Sequence, residues 1–217
     1  DGVQVAKAGI LEIADVFVIN RSFDAPIDLM FDLWTKPEHF AKWLPPTGLT
    51  MAFHRVDIRS GGEGFFSMGN DAFTLYGKIV YHHIERPHLL TYTQCFTDAQ
   101  ENLSRHPMAP VWPAYMQTTV RFTEEGPSRT RVTIRWQPDQ SATPEEIAAF
   151  VQERGGMTMG WTGSFDKLED VIAIVRQTGA LEFSRQAAAA EARRAMREHL
   201  TRSLDRYRTL AGGDRHG

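Results

Sequence analysis

The densest run of groups able to carry chemistry is "YHHIERPHLLTYTQCF", which holds three histidines and the single cysteine, Cys95. Its spacing argues against catalysis. His82 and His83 are consecutive in a β-rich pattern, so their side chains point to opposite faces of a strand and cannot ligate one metal together. Cys95 also falls in a strand alternation, where a small buried thiol is the ordinary role and a nucleophile needs an electropositive setting. The eight histidines include no HExxH and no paired Cys/His spacing, so no metal motif is present. GxSxG, P-loop and GxGxxG patterns are missing too. The run "GGEG" reads as a hairpin turn and not as a phosphate cradle. No cofactor is expected and no catalytic residue is assigned. An enzyme built on this chain would have to gather isolated polar groups, such as His54, Arg55, His83 or His106, inside a cavity.

The other chemistry on offer is apolar. "FDLWTKPEHFAKWLPP" crowds two tryptophans and two phenylalanines around one Lys-Pro break. Ahead of it, Ile27, Met30, Phe31 and Trp34 recur at i, i+3, i+4 and i+7, one face of a helix. Asp24 is placed to cap that helix, with Pro26 in its first turn. Thr35 and Glu38 have the spacing of a capping box for a second helix, whose stripe is Phe40, Trp43 and Leu44. Pro45 and Pro46 end it. The motif is therefore two short helices, each presenting aromatics on one side, either as core or as one wall of an apolar pocket.

These elements sit in a chain of 217 residues with 42% hydrophobic and 11% aromatic residues, enough for one domain with a sizeable core. A net charge of −3 leaves no electrostatic footprint for nucleic acid. One cysteine excludes an intrachain disulfide framework and fits a reducing compartment, so a cytoplasmic protein is expected. No apolar run approaches membrane-spanning length, and the N-terminus lacks a basic-then-apolar signal pattern, so no membrane partner is expected.

Along the chain, "ADVFVINRSF" is a first strand, and the helix pair follows. "LTMAFHRVDIRSGGEGFFSMGN" is a hairpin turning at Gly61-Gly62. Met51 and Phe53 share one parity while Val56 and Ile58 share the other, which predicts a bulge near His54-Arg55. "FTLYGKIVYHHI", "LLTYTQCF", "YMQTTVRF" and "RTRVTIRW" are four more strands. Between the second and third of these lies an irregular stretch with prolines 107, 110 and 113. "SATPEE" is a capping box, Thr143 with Glu146. The helix it starts is interrupted at Gly155-Gly156. Trp161, Phe165, Leu168, Val171, Ile172 and Val175 then form an amphipathic stripe. The order β, α, α, six strands and a long α predicts an α+β protein, a curved antiparallel sheet wrapped around a terminal helix. Residues 1–178 form this domain. Residues 179–217 form an Ala- and Arg-rich helical tail, a candidate for docking on the body or for a homodimer contact.

The element order and four motifs resemble the START-like (SRPBCC) superfamily, in its branch named after the activator of heat-shock protein 90 ATPase. The motifs are "LWTKPEHFAKWLPP", "DIRSGGEGFFSM", "YHHIERPHLLTYTQCFTD", and "WPAYMQTTVRF" followed by "TRVTIRW" and "GWTGSFDKLEDVIA". They cover roughly residues 12–176. The resemblance implies a helix-grip fold with a cavity between sheet, long helix and helix pair, and superfamily members bind lipids, sterols, polyketides and plant hormones. The namesake activators carry a further N-terminal domain that helps grip the chaperone. Here the first strand begins close to the start of the sequence, so direct co-chaperone activity is not expected.

Three readings follow. The first is a carrier or sensor of an apolar or aromatic small molecule. Its site would draw on Trp34 and Trp43 of the helix pair, on Phe53, Phe66, Met68, Phe73, Leu75, Tyr92 and Met116 of the strands, and on Trp161 and Phe165 of the long helix. His106 and Trp112, in the stretch from Asn102 to Pro113, would close over the ligand. The second reading is a cyclase- or hydrolase-like enzyme using the same cavity, which a buried acid–base pair would favour. The third is a chaperone-interaction module, which a flat exposed apolar patch over a filled interior would favour.

Overall fold

Alternation of apolar and polar residues with period two dictates half-buried strands, and seven of them form one antiparallel sheet. The structure is a computed structural model that describes residues 15–179 and Met196. Strand β1 (Phe17–Phe23) is followed by α1 (Ile27–Thr35) and α2 (Pro37–Trp43). Then come β2 (Thr50–Val56), β3 (Glu63–Asn70), β4 (Phe73–Glu85), β5 (Leu89–Thr97), β6 (Tyr115–Gly126) and β7 (Arg129–Pro138), and the helix α3 (Pro144–Gln152). The sheet order is β1-β7-β6-β5-β4-β3-β2, a meander with β1 returned beside β7. The chain divides into two compact units, 1–172 and 173–217. In the first, helix α4 starts at 154 and continues to 172. In the second, 173–179 and Met196 are helical, and the rest of the predicted tail lies outside the described residues.

The inner face of the sheet packs against the helices. Met116, Thr118, Val120 and Phe122 of β6 are buried in strict alternation, as are Thr130, Val132 and Ile134 of β7. Phe31 and Trp34 of α1 meet Phe122 edge-on, and Phe165 of α4 meets Phe23 of β1 edge-on. The stripe on α4 is Met157, Trp161, Phe165, Leu168 and Ile172, with all but Trp161 buried. Ser164 donates to the Leu44 carbonyl at 2.8 Å, and Lys167 donates to the Pro45 carbonyl. These bonds tie α4 to the end of α2.

The predicted bulge is present. Pairing of β2 with β3 shifts between Phe53 and Arg55. Phe53 therefore faces inward, while His54 bonds Ser67 on the outer face at 2.8 Å. Helix ends differ from the sequence expectation in three places. Pro26 precedes α1 without a side-chain cap, because Asp24 accepts from Arg129 at 2.8 Å. The Thr35 hydroxyl donates back to the Phe31 carbonyl at 2.8 Å, and Lys36 takes the cap position of α2. The break after α3 falls at Glu153, ahead of the glycine pair, and Gly155 and Gly156 lie in the first turn of α4. The Thr143–Glu146 capping box forms as expected.

Candidate functional site

Strand register assembles one row of side chains across the inner face. Phe17 of β1 pairs with Trp136 of β7, Trp136 with Thr118 of β6, Thr118 with Tyr92 of β5, and Tyr92 with Tyr81 of β4. A mostly apolar face thus carries an indole, a hydroxyl and two phenols in line. Burial pushes both tyrosine hydroxyls well above the usual phenol range, so they stay neutral. The Thr118 hydroxyl stands beside the Tyr92 phenol and opposes part of that rise, without the alignment of a full hydrogen bond.

Helices close over this row. Trp161 of α4 stacks on Trp34 at 6.4 Å and meets Trp136 edge-on at 6.2 Å. Trp34 in turn touches Trp43 and Phe40 of α2, at 4.5 and 6.0 Å. The Trp43 indole N–H is satisfied by the Leu33 carbonyl at 2.9 Å. The indole N–H groups of Trp34 and Trp136 and the hydroxyl of Thr118 are buried without a hydrogen-bond partner. Such groups are costly in an apolar interior and ask for an acceptor.

Beyond Tyr81 the inner face opens. Phe53, Phe66, Met68 and Leu75 on β2, β3 and β4 share this face and remain partly exposed. The rings lie flat on the sheet because two glycines leave room. A Cβ on Gly77 would stand 2.3 Å from the Phe66 ring, and one on Gly64 would stand 3.3 Å from the Phe53 ring. Phe40 of α2 continues this wall, 6.3 Å from Phe53.

The predicted site residues fall into three groups. Trp34, Trp43, Tyr92, Met116 and Phe165 are fully buried and pack within the interior. Phe53, Phe66, Met68, Leu75 and Trp161 are partly exposed, the first four forming one patch, and Phe73 at the hairpin tip is largely exposed. His106 and Trp112 form the third group, in the stretch between β5 and β6. Trp112 packs on Trp136 and Phe150 at 5.8 and 5.7 Å, in a cluster with Phe17, Met116 and Met157. Arg105 fastens the same stretch by donating to the Trp112 carbonyl at 2.6 Å and to the buried Glu146 carboxylate at 2.5 Å. His106 rests edge-on against Phe96 at 5.2 Å, and burial lowers its pKa.

The polar candidates do not converge. His54 and Arg55 are on the outer face, where Arg55 pairs with Glu63 and Glu101 at 3.0 and 2.6 Å. His83 is exposed beside Glu85 at 3.4 Å. Among the described residues no group of three or more His, Cys, Asp and Glu could hold a metal. Also among them, no helix is long and apolar enough to cross a membrane. Sequence reasoning missed Tyr81, Thr118 and Trp136. The available signal was parity: Trp136 continues the Val132, Ile134 phase, and Thr118 is a polar residue in the phase of Met116, Val120 and Phe122.

A family pattern for activator of Hsp90 ATPase homolog 1-like proteins matches residues 24–173, which spans α1 to α4. The chain belongs to that family. Solved structures bear out the helix-grip fold. A protein from Nitrosomonas europaea superposes with a TM-score of 0.60 at 19% identity, over 77% of this chain and 99% of its own. A protein from Arthrobacter aurescens gives 0.61 at 22% identity, over 74% and 87%. An AHSA1 protein from Silicibacter pomeroyi gives 0.56 at 16% identity, over 73% and 98%. At these identities the likeness concerns fold alone. No curated protein matches the chain.

Proposed function

We propose that this family member binds a small apolar molecule bearing at least one hydrogen-bond acceptor, on the inner face between the sheet, α4 and the helix pair. The observation that carries the reading is the set of buried donors without partners, the indole N–H groups of Trp34 and Trp136 and the Thr118 hydroxyl. A ketone, ether or ester oxygen on the ligand would satisfy them. The partly exposed wall of Phe53, Phe66, Met68 and Leu75 offers a route inward and an apolar surface to line it. Few polar groups in a concave apolar setting is the usual composition of a small-molecule site. The outward placement of His54, Arg55 and His83 supports binding over acid–base catalysis.

The test is titration with Nile red, an apolar dye that carries a carbonyl acceptor, followed by competition with fatty acids and polycyclic ketones. Saturable, displaceable fluorescence is expected, weakened several-fold by Trp136→Phe, which keeps an aromatic ring and removes the donor. Dye binding that never saturates, or that is unchanged in the variant, would sink the reading. Native mass spectrometry of freshly purified protein should in addition reveal any ligand carried through purification.

A further inference from the structure

The outer face of the sheet holds a depression of about 510 Å³, turned away from α4 and the helix pair. Its floor comes from β4, β5 and β6, where Lys78 pairs with Cys95 and Cys95 with Tyr115. Glu101 and Leu103, after β5, form one wall; Asp139 and Ser141, after β7, form the other.

The charges here are already spoken for. Lys78 lies 3.0 Å from Glu63 and 3.7 Å from Glu101, and Arg55 grips Glu101 through bonds of 2.6 and 2.9 Å. Asp139 accepts from the Gln117 amide at 2.8 Å and from the Ser141 N–H at 3.0 Å. A phosphate or sulfate would meet two carboxylates and a compensated lysine, so the site is ill suited to an anion. The two carboxylates nevertheless keep acceptor capacity, since each has about four lone-pair sites. Leu103 and Tyr115 add exposed apolar surface, with relative exposures of 51% and 37%.

Two features mark the depression as built. Glu101 has φ of 66°, the left-handed region that a residue with a side chain seldom occupies. The turn from Asp98 holds it there, with the Asp98 carboxylate accepting from the N–H groups of Gln100 and Asn102 at 2.9 Å each. Such strain tends to persist where a side chain must be aimed. Within the lining itself, Thr97 is 6% exposed and its hydroxyl has no partner.

We propose that this depression is a second binding site, for a small uncharged polyhydroxylated molecule such as a single sugar ring or a cyclic polyol. Ring hydroxyls donate to Glu101 and Asp139 and exchange hydrogen bonds with Thr97 and Ser141. The C–H face of the ring lies against Tyr115 and Leu103. The site is independent of the inner-face ligand, because the two lie on opposite faces of the sheet.

The test is a backbone amide NMR titration of the full chain with methyl glucoside and with myo-inositol, and with inorganic phosphate as the contrasting probe. One of the two polyols is expected to give saturable shifts confined to amides near Thr97, Glu101, Tyr115 and Asp139. Asp139→Asn and Thr97→Val should each weaken that binding by about tenfold or more. Thr97→Val should leave thermal stability unchanged or raised, because it removes an unpartnered hydroxyl. The proposal is overturned if neither polyol gives saturable shifts, if phosphate binds here in their place, if the shifts map to the inner face, or if both variants bind as well as the original chain.

Discussion

Trp161 lies nearly parallel to Trp34, the ring centroids 6.4 Å apart and the planes inclined by 16°. The pair joins α4 to α1 beside Trp136, from which the row runs to Tyr81. Trp161 is the hinge of this aromatic system, since it also contacts Trp136 and Phe165 at 6.2 and 5.9 Å. Removing it should loosen the grip of the helices on the sheet and widen the interior at once.

Trp161→Ala should therefore cost about 2–4 kcal/mol, toward the lower end for a buried aromatic because the ring is partly exposed. Urea denaturation followed by far-UV circular dichroism measures this. The same variant should bind larger apolar probes than the original chain does, as a cavity replaces the ring. A loss under about 0.5 kcal/mol, the range of an ordinary surface change, would show that the stack carries no weight.

Trp112→Ala should behave as a core substitution. The ring packs between Trp136 and Phe150, and Arg105 holds the backbone beside it. A loss of about 2–4 kcal/mol is expected in the same assay, with faster proteolysis near Arg105. A variant with unchanged melting temperature and weakened dye binding would instead make the stretch from Asn102 to Pro113 a cover over the ligand.

Gly77→Ala should displace a ring without unfolding the sheet. The new Cβ would stand 2.3 Å from the outer end of the Phe66 ring, which can swing away from the strand. The swing moves Phe66 into the space in front of Phe53 and Leu75. Nile red affinity should fall by about tenfold while cooperative unfolding is retained. Equal affinity in the two proteins would place the bound dye away from this wall.

Acid should weaken the protein through Asp32. Burial alone would raise its pKa, but hydrogen bonds from Arg86 at 2.7 Å and Lys36 at 3.0 Å outweigh that and hold it below the usual carboxylate value. A carboxyl group depressed in the folded state adds stability that is present above its unfolded pKa and lost as pH falls through the folded one. The unfolding free energy should decline below about pH 4, and Asp32→Asn should flatten that part of the profile while lowering stability at neutral pH. Urea midpoints measured across the acid range test both effects. An unchanged slope in the variant would assign the acid sensitivity to other groups.

The sequence by itself determined the elements and their order. Period-two alternation in "YMQTTVRF" and "RTRVTIRW" and the three- and four-residue spacing on α1 and α4 are set by backbone geometry within one element, so they are legible locally. The change of parity between Phe53 and Val56 gave away the bulge for the same reason. Tertiary structure alone decided which side chains meet. Trp136, Thr118 and Tyr92 are far apart in sequence, and only strand register brings them into one row. Asp24 and Thr35 have the right local chemistry to cap helices, yet Arg129 claims Asp24 from the neighbouring strand and Thr35 turns back to Phe31. Trp112 sits among prolines and reads as loop, but an indole gains more from burial against Phe150 and Trp136 than from solvent, so the loop folds inward around it. The depression on the outer face has no local signature at all, because its walls come from two loops that the chain order separates and the sheet places side by side.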